Sequence, residues 1–209
     1  MKRKIPCFCE NIFEVEVPDE IDLDKNEEYL DKIQNGGFLN FTCSSCGKIL
    51  KPEFPIMVLW LSKNLRFEVF TELERREFYR RKKQPTEKKP CPIEAIIGYR
   101  ELADRIAVIR DGFDPVPIEA IKYYLQLKAE EQHPDEKPEI WYFGSGNGFV
   151  EFHIHGIKDN EVAVMKVPLS LYQKTLSDYK KNPGKEVFKI LKVRNYLSVK
   201  NTMRHETLK

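Results

Sequence analysis

The alternation of apolar and charged residues predicts strands in the first seventy residues. Val15 and Val17 alternate with glutamates, which is typical of a short, half-buried strand. Residues 56–61 form a continuous apolar run, and apolar residues alternate with charged ones over 65–69. Because the polar residues 62–64 separate these two segments, the pattern predicts a β-hairpin.

The middle of the chain carries the start and stop signals of three helices. Thr71 and Glu74 have the spacing of a capping box, which predicts a helix that continues to about Lys83. A second helix ends at Asp111-Gly112, and Asp114-Pro115 starts a third, so these two should pack as a helical hairpin. The apolar face of the second helix consists of Tyr99, Leu102, Ala103, Ile106 and Ile109.

A polar, proline-bearing segment, 129–139, separates the helices from a last group of elements. The pattern predicts strands at 141–143, 149–155, 161–167 and 187–193, with a helix at 169–179 before the last of them. The fold class is therefore α+β. We expect one domain over residues 1–128 and a C-terminal α+β unit, rich in strands and with one helix, over 138–200.

Charge is nearly balanced over the 209 residues, at a formal +2, but it is distributed unevenly. Residues 10–31 contain ten acids and one base, whereas 71–89 contain eight bases and four acids, and 174–209 contain ten bases and three acids. The basic segments 75–89 and 174–209 are candidates for contact with nucleic-acid phosphates. A solvated basic helix, balanced in part by Glu72, Glu74 and Glu77, is the alternative interpretation.

The apolar runs are too short for a membrane-spanning helix, which needs about 18 apolar residues or more. The basic N-terminal residues are not followed by the apolar core of a secretory signal. We therefore expect a cytoplasmic protein without membrane association. In that compartment thiols stay reduced, so cysteines there indicate metal binding or reactivity more often than disulfides.

Four of the five cysteines occur as two close pairs. Cys7 and Cys9 form a Cys-x-Cys motif, and Cys43 and Cys46 form a Cys-x-x-Cys motif followed by Gly47. Two such turns can supply the four tetrahedral thiolates that structural zinc prefers. Three alternatives remain at this point, namely buried structural cysteines, a redox dithiol at Cys43 and Cys46, and an iron–sulfur cluster. Cys91, between two prolines, is not expected to have a role.

These motifs resemble those of the CpXC domain family of bacteria and archaea, whose two motifs are cysteine–proline–x–cysteine. The resemblance rests on the paired cysteines, the acidic spacer, LNFTCSSCG, and IIGYRELADRIAVIRDGFDPVPIEAIKYYL, and it covers about residues 1–128. Pro6 precedes the first cysteine pair instead of following its first cysteine, and Ser44 replaces the second proline. The resemblance implies a zinc-ribbon-like N-terminal unit whose metal ligands are Cys7, Cys9, Cys43 and Cys46. It implies no activity.

Two further sequence motifs are candidate binding sites. His153 and His155 lie two residues apart on a predicted strand, on the same face as Glu151, so a second metal site competes with an ordinary polar strand face. The glycine-rich residues 144–148 lack the helix that a phosphate-binding loop requires after it, and they predict a hairpin loop instead.

The sequence as a whole favours a non-enzymatic protein in which a structural Zn²⁺ ion orders a surface for a protein partner. A closed thiolate site without any nucleophile–base–acid motif motivates this hypothesis. The first alternative is a nucleic-acid-binding protein that uses residues 75–89 and 174–209. The second is a thiol oxidoreductase that acts through Cys43 and Cys46.

Overall fold

The computed structural model of the chain describes residues 1–81 and 92–202. Helices and strands are mixed along the chain, which confirms the α+β fold class. The chain divides into two compact units, Met1–Ala103 and Asp104–Lys209. No helix within the described residues combines the length and the apolar character needed to cross a membrane.

The first unit contains mostly short strands. In chain order its elements are β1 (Lys2–Pro6), β2 (Ile12–Glu16), β3 (Glu20–Asp22), α1 (Glu27–Gln34), β4 (Phe41–Thr42), β5 (Ile49–Leu50), β6 (Ile56–Trp60), β7 (Leu65–Phe70), α2 (Arg75–Arg80), β8 (Ile93–Ile97) and the start of α3 (Tyr99–Arg110). Strands β1 and β2 form one antiparallel hairpin, and β4 and β5 form a second, much shorter one. These two hairpins carry the four paired cysteines on the turns that close them.

The larger sheet of the first unit has the strand order β8-β7-β6-β3. Strands β6 and β7 pair antiparallel, which confirms the predicted hairpin, and Val58 faces Phe67 across it with both side chains fully buried. Asn64 adopts the left-handed conformation at the turn, with φ of 56°. Strand β8 then pairs parallel with β7.

The predicted capping box at Thr71 is confirmed. The Oε2 atom of Glu74 accepts hydrogen bonds from the backbone N–H and the hydroxyl of Thr71, at 2.9 Å and 3.0 Å. The first turn after Thr71 is a 3-10 helix, and α2 then ends at Arg80. The end predicted at Lys83 lies outside the described residues.

The second unit is a three-stranded sheet covered on one face by helices. After the second half of α3 it contains α4 (Pro115–Gln132), β9 (Glu139–Gly146), β10 (Phe149–His155), β11 (Ala163–Pro168), α5 (Leu169–Lys181), α6 (Glu186–Ile190), β12 (Lys192–Val193) and β13 (Tyr196–Leu197). The strand order is β11-β10-β9, antiparallel throughout. Val150, Phe152 and Ile154 on the inner face of β10 pack with Ile118 and Ile121 of α4 in the main core of this unit.

The helical hairpin of α3 and α4 forms as predicted. Gly112 ends α3 in the left-handed conformation with φ of 80°, and Asp114 caps α4 by accepting a hydrogen bond from the N–H of Val116 at 2.9 Å. The compact units divide at Ala103/Asp104, so α4 lies wholly within the second unit. The physical reason is that α4 buries its apolar stripe against the sheet of the second unit, so it belongs to that core.

The strand predicted at 187–193 is wrong for most of its length. Residues 186–190 form the short helix α6, and only Lys192 and Val193 are extended. Val187, Phe188 and Leu191 fall on one helical face and pack against Ala120 in a small separate core. Burial of that face against α4 outweighs the β-branched composition that favoured a strand.

Four charged side chains are buried within the helical hairpin of the second unit, namely Asp104, Arg105, Glu119 and Lys122. The ammonium of Lys122 donates to Asp104 and, at 2.9 Å, to Glu119. The two carboxylates also accept backbone N–H groups of Tyr142 and Val199, both at 2.7 Å. This network satisfies buried charges that would otherwise destabilise the fold.

Candidate metal centre

The first cysteine pair lies on the turn between β1 and β2. The backbone N–H of Cys7 donates to the carbonyl oxygen of Asn11 at 2.8 Å, and the N–H of Glu10 donates back to Cys7 at 2.9 Å. Glu10 takes the left-handed conformation, with φ of 68°. This tight turn, and not an extended segment, is what lets both thiols of a Cys-x-Cys motif point the same way.

The second pair lies on the corresponding turn between β4 and β5. The N–H of Cys43 donates to the carbonyl oxygen of Lys48 at 2.8 Å, and the N–H of Gly47 donates to that of Cys43 at 2.9 Å. Gly47 has a φ of 72°, a conformation that glycine adopts without strain. The turn is one residue longer than the first, in keeping with its Cys-x-x-Cys spacing.

The four thiols of these turns converge. The Sγ atoms of Cys7 and Cys46 lie 3.6 Å apart, and those of Cys9 and Cys43 lie 3.7 Å apart. All four Sγ atoms lie within 4.8 Å of one another. For a Zn–S bond of about 2.3 Å, the edge of a regular tetrahedron is about 3.8 Å, so the donor atoms fit one tetrahedral ion. Four cysteines close together could hold a metal ion in this position.

The electrostatics of the cluster also favour a cation. The backbone N–H of Cys9 lowers the pKa of Cys7, but desolvation and the three neighbouring thiols raise it to about 12. The side chain of Asn11 and the N–H of Cys46 lower the pKa of Cys43 to about 6. Asn11 Nδ2 lies 3.5 Å from the sulfur of Cys43. Opposite shifts in adjacent thiols are expected where several thiolates lie close together, because each negative charge disfavours the next, and a cation would relieve that repulsion.

The number of thiolates decides whether an ion bound here could also bind water or a substrate. Four protein thiolates fill the tetrahedral shell of a zinc ion, so no position is left for water or a substrate. Cys7 and Cys43 are buried, whereas Cys9 and Cys46 face solvent. A metal here would hold the two hairpins together around a small core, which consists of Ile5, Cys7, Val15, Val17, Cys43 and Leu50.

Large apolar side chains are exposed beside the cysteine cluster. Phe8, between two cysteines, is 86% exposed, and Ile12 and Ile49 are each 64% exposed. Ile12 begins β2 and Ile49 begins β5, so both cysteine turns contribute. The ammonium of Lys48 lies 5.6 Å from the centroid of the Phe8 ring and links the two turns. We call Phe8, Ile12, Lys48 and Ile49 the apolar tip.

The structure does not place the histidine pair in a group of metal-ligating side chains within the part of the chain that it describes. Within residues 1–81 and 92–202, the four cysteines are the one group of three or more ligating side chains close enough to share an ion. The Nε2 atom of His153 lies 3.4 Å from a carboxylate oxygen of Glu151. The glycine-rich residues before β10 form a hairpin turn, with φ of 51° at Asn147 and 80° at Gly148, as predicted.

Part of the basic segment 75–89 is used inside the first unit. Arg75 donates to Glu101 at 2.6 Å and to the carbonyl oxygen of Ile97 at 3.2 Å, and Arg81 pairs with Glu77 at 3.0 Å. These partners reduce the charge that the segment can offer to phosphates. Residues 82–89 of that segment and Cys91 lie outside the described residues.

Comparison with known proteins supports the family resemblance. A family model described as "CpXC protein" matches residues 5–122. An uncharacterized protein of Treponema pallidum (strain Nichols) is 28% identical over 224 aligned positions, which cover 95% of this chain and 97% of that protein. No solved structure matches the chain.

Proposed function

This chain belongs to the CpXC protein family, and we propose that it is a non-enzymatic, cytoplasmic protein in which one structural Zn²⁺ ion orders a surface for a protein partner. The observation that carries the proposal is the convergence of four thiols from two hairpin turns. The same turns carry the exposed apolar tip. The ion would therefore fix the position of the side chains that a partner contacts.

Zinc is the ion that the donor set suits best. Four thiolates in a closed tetrahedral arrangement are typical ligands of structural zinc. Iron can occupy the same donors, and the soft thiolates disfavour magnesium, calcium and manganese. Zinc is not redox-active, so a structural site for it needs no electron donor or acceptor. The free energy of zinc binding would add to the folding stability of the two hairpins, whose shared core is small.

The apolar tip is suited to protein contact. Exposed aromatic and aliphatic side chains that a rigid frame holds in place lose little conformational entropy on binding. Phe8 lies between two proposed zinc ligands, Cys7 and Cys9. Metal binding would therefore restrict the backbone of Phe8 more than that of an ordinary surface residue. A partner with an apolar patch bordered by an acidic residue would complement Phe8, Ile49 and the ammonium of Lys48.

Native mass spectrometry of the full chain, purified without chelator, tests the zinc site. We expect the mass of one zinc ion per chain. A protein that is fully folded without metal, or one that carries iron, would contradict the proposal. The thiol oxidoreductase hypothesis predicts instead that the protein accelerates disulfide reduction by a small thiol, an activity that a zinc-saturated protein should lack.

Cross-linking of the immobilised protein in a cell extract tests the partner surface. A specific partner should be captured by the parent chain and lost both on chelation and in the Phe8→Ser, Ile49→Ser variant. Leu73→Ser is the matched control, because Leu73 is 95% exposed on the first unit but distant in sequence from both cysteine turns. Capture that survives loss of the apolar tip would contradict this part of the proposal.

A further inference from the structure

The sheet of the second unit has one face that its helices do not cover. Along β10, Val150, Phe152 and Ile154 point into the core, so the alternate residues point outward. The outward residues of β10 are Phe149, Glu151, His153 and His155. This outer face is partly exposed along its length, and it carries several aromatic rings.

A β-bulge presents one of these rings to solvent. The register between β9 and β10 shifts between Glu151 and Phe152, which face Gly144 and Tyr142, so Phe143 has no partner residue of its own. A bulge of this kind redirects a side chain. The ring of Phe143 is 59% exposed and stacks on the imidazole of His153, with ring centroids 3.9 Å apart and planes 15° from parallel. The imidazole therefore supports the phenyl ring in a fixed orientation.

A second ring lies beside the first. Trp141 faces His153 across the β9–β10 pair, so the indole is on the same side of the sheet as the stacked pair. The ammonium of Lys200 lies 5.2 Å from the centroid of the Trp141 ring. Phe149, on the same face of β10, is also exposed. The face thus presents a row of planar side chains.

Lysines border this row on both sides. Lys166 of β11 lies 3.6 Å from a carboxylate oxygen of Glu151, and Lys200 lies 3.7 Å from one of Glu139. Both separations are longer than the usual N–H···O hydrogen bond, so a phosphate could compete with these carboxylates for the ammonium groups. The acidic side chains hold the two lysines at the margins of the aromatic row.

We propose that this outer face, with Phe143 stacked on His153 at its centre and Lys166 and Lys200 at its margins, binds single-stranded nucleic acid. Unpaired bases stack on exposed aromatic rings, and lysines beside them contact the phosphates. Duplex bases are already stacked on one another and cannot use such rings. The centre of a protein–protein interface is depleted of lysine and glutamate, whereas this face alternates them with rings.

Fluorescence anisotropy with the full-length chain provides the test. The single-stranded probes are 5′-fluorescein oligo-dT and oligo-U of about 12 nucleotides, and a labelled duplex of the same length is the comparison. We expect single strands to bind with a dissociation constant of about 1–100 μM at about 50 mM salt and more weakly at about 200 mM. The duplex should bind at least several-fold more weakly, because its bases cannot reach the rings.

Substitutions on the outer face distinguish base stacking on its rings from the electrostatic attraction of nucleic acid to the basic segments. Phe143→Leu keeps an apolar side chain but removes the ring, and it should weaken single-strand binding by about tenfold. Phe143→Trp should retain binding. Lys166→Gln should lower the slope of log affinity against log salt by about 0.7, the contribution of one phosphate contact.

Tyr124→Leu is the matched control, because Tyr124 is an exposed aromatic residue of the same unit on α4. It should leave single-strand binding unchanged, and thermal melting should show that all variants fold. Absence of single-strand binding at about 100 μM protein and low salt would overturn the proposal. Equal binding by the parent chain and Phe143→Leu would also overturn it and would assign the binding to another surface.

Discussion

The Nζ atom of Lys122 lies 2.9 Å from Oε1 of Glu119 in the interior of the second unit, where both side chains are almost completely excluded from solvent. Asp104 is the second acidic partner of the same ammonium. The guanidinium of Arg105 lies 3.9 Å from Glu119 and donates to the carbonyl oxygen of Leu197 at 2.7 Å. Two acids and two bases thus balance each other between α3 and α4.

Lys122→Met should strongly destabilise the second unit. The substitution preserves much of the side-chain volume but leaves two buried carboxylates without their shared ammonium. We expect a loss of about 3–5 kcal/mol in the free energy of unfolding, measured by urea denaturation near neutral pH. Lys128→Met, at an exposed position of the same helix, is the control and should change stability by less than about 0.5 kcal/mol.

The stabilisation by Lys122 should be lost at alkaline pH. Burial lowers the pKa of Lys122, but the carboxylates of Asp104 and Glu119 outweigh it and raise the pKa above its ordinary value of 10.5. A group with a raised pKa in the folded state stabilises fully below its unfolded pKa and loses that effect as pH rises through the folded pKa. The stability difference from Lys122→Met should therefore shrink as the pH rises above about 10.5.

Cys7→Ser should impair metal binding as severely as loss of any other cysteine of the cluster. The sulfur of Cys7 is 3.6 Å from that of Cys46, so it would occupy one vertex of the proposed zinc site despite its unusual Cys-x-Cys spacing. We expect zinc affinity to fall by more than the roughly 10- to 100-fold that loss of an outer-sphere partner costs. Competition with a chromophoric chelator measures this. Cys91→Ser should bind zinc like the parent chain, and normal affinity in Cys7→Ser would refute the four-thiolate site.

Removal of the metal should unfold the two cysteine hairpins without unfolding the second unit. The hairpins enclose only a small core, so the proposed zinc ion would supply the rest of their stability. Hydrogen–deuterium exchange followed by mass spectrometry should show loss of protection over residues 1–17 and 41–50 after chelation. Peptides from β10 and α4, which have their own core, serve as the internal reference and should be unchanged. Retained protection in both hairpins would show that no metal stabilises them.

Gly148→Ala should destabilise the β9–β10 hairpin through the backbone alone. Gly148 has a φ of 80°, and a Cβ atom there would meet no atom within 4 Å, so the cost of about 1 kcal/mol comes from the left-handed conformation. Thermal unfolding measures it. Gly144→Ala is the matched control, since its surroundings are equally open and its φ is ordinary, and it should cause no comparable loss.

Local signals in the sequence predicted much of the secondary structure. The capping box at Thr71, the Asp114-Pro115 helix start and the Asn147-Gly148 turn each depend on residues a few positions apart, so each could be recognised directly. The helix at residues 186–190 could not. Its apolar residues suit a strand equally well, and only the burial of Val187 and Phe188 against α4 selects the helix.

The buried charges were also missed, since Asp104, Arg105, Glu119 and Lys122 have the composition of a solvated helix surface. Spacing of Glu119 and Lys122 by three residues was the one available signal, and it is common on exposed helices. The stacked Phe143–His153 pair was missed for a different reason. A bulge shifts the strand register, and a period of two cannot reveal where that shift occurs.

The sequence by itself determined the fold class, the family and which four cysteines are candidate metal ligands. Each of these depends on residue types at short spacing or on similarity along the chain. Only the tertiary structure decided that Cys7 converges with Cys9, Cys43 and Cys46, that α4 belongs to the second compact unit, and which charges are buried. These properties depend on distances between residues far apart in the chain. Packing sets those distances, and local spacing does not constrain them.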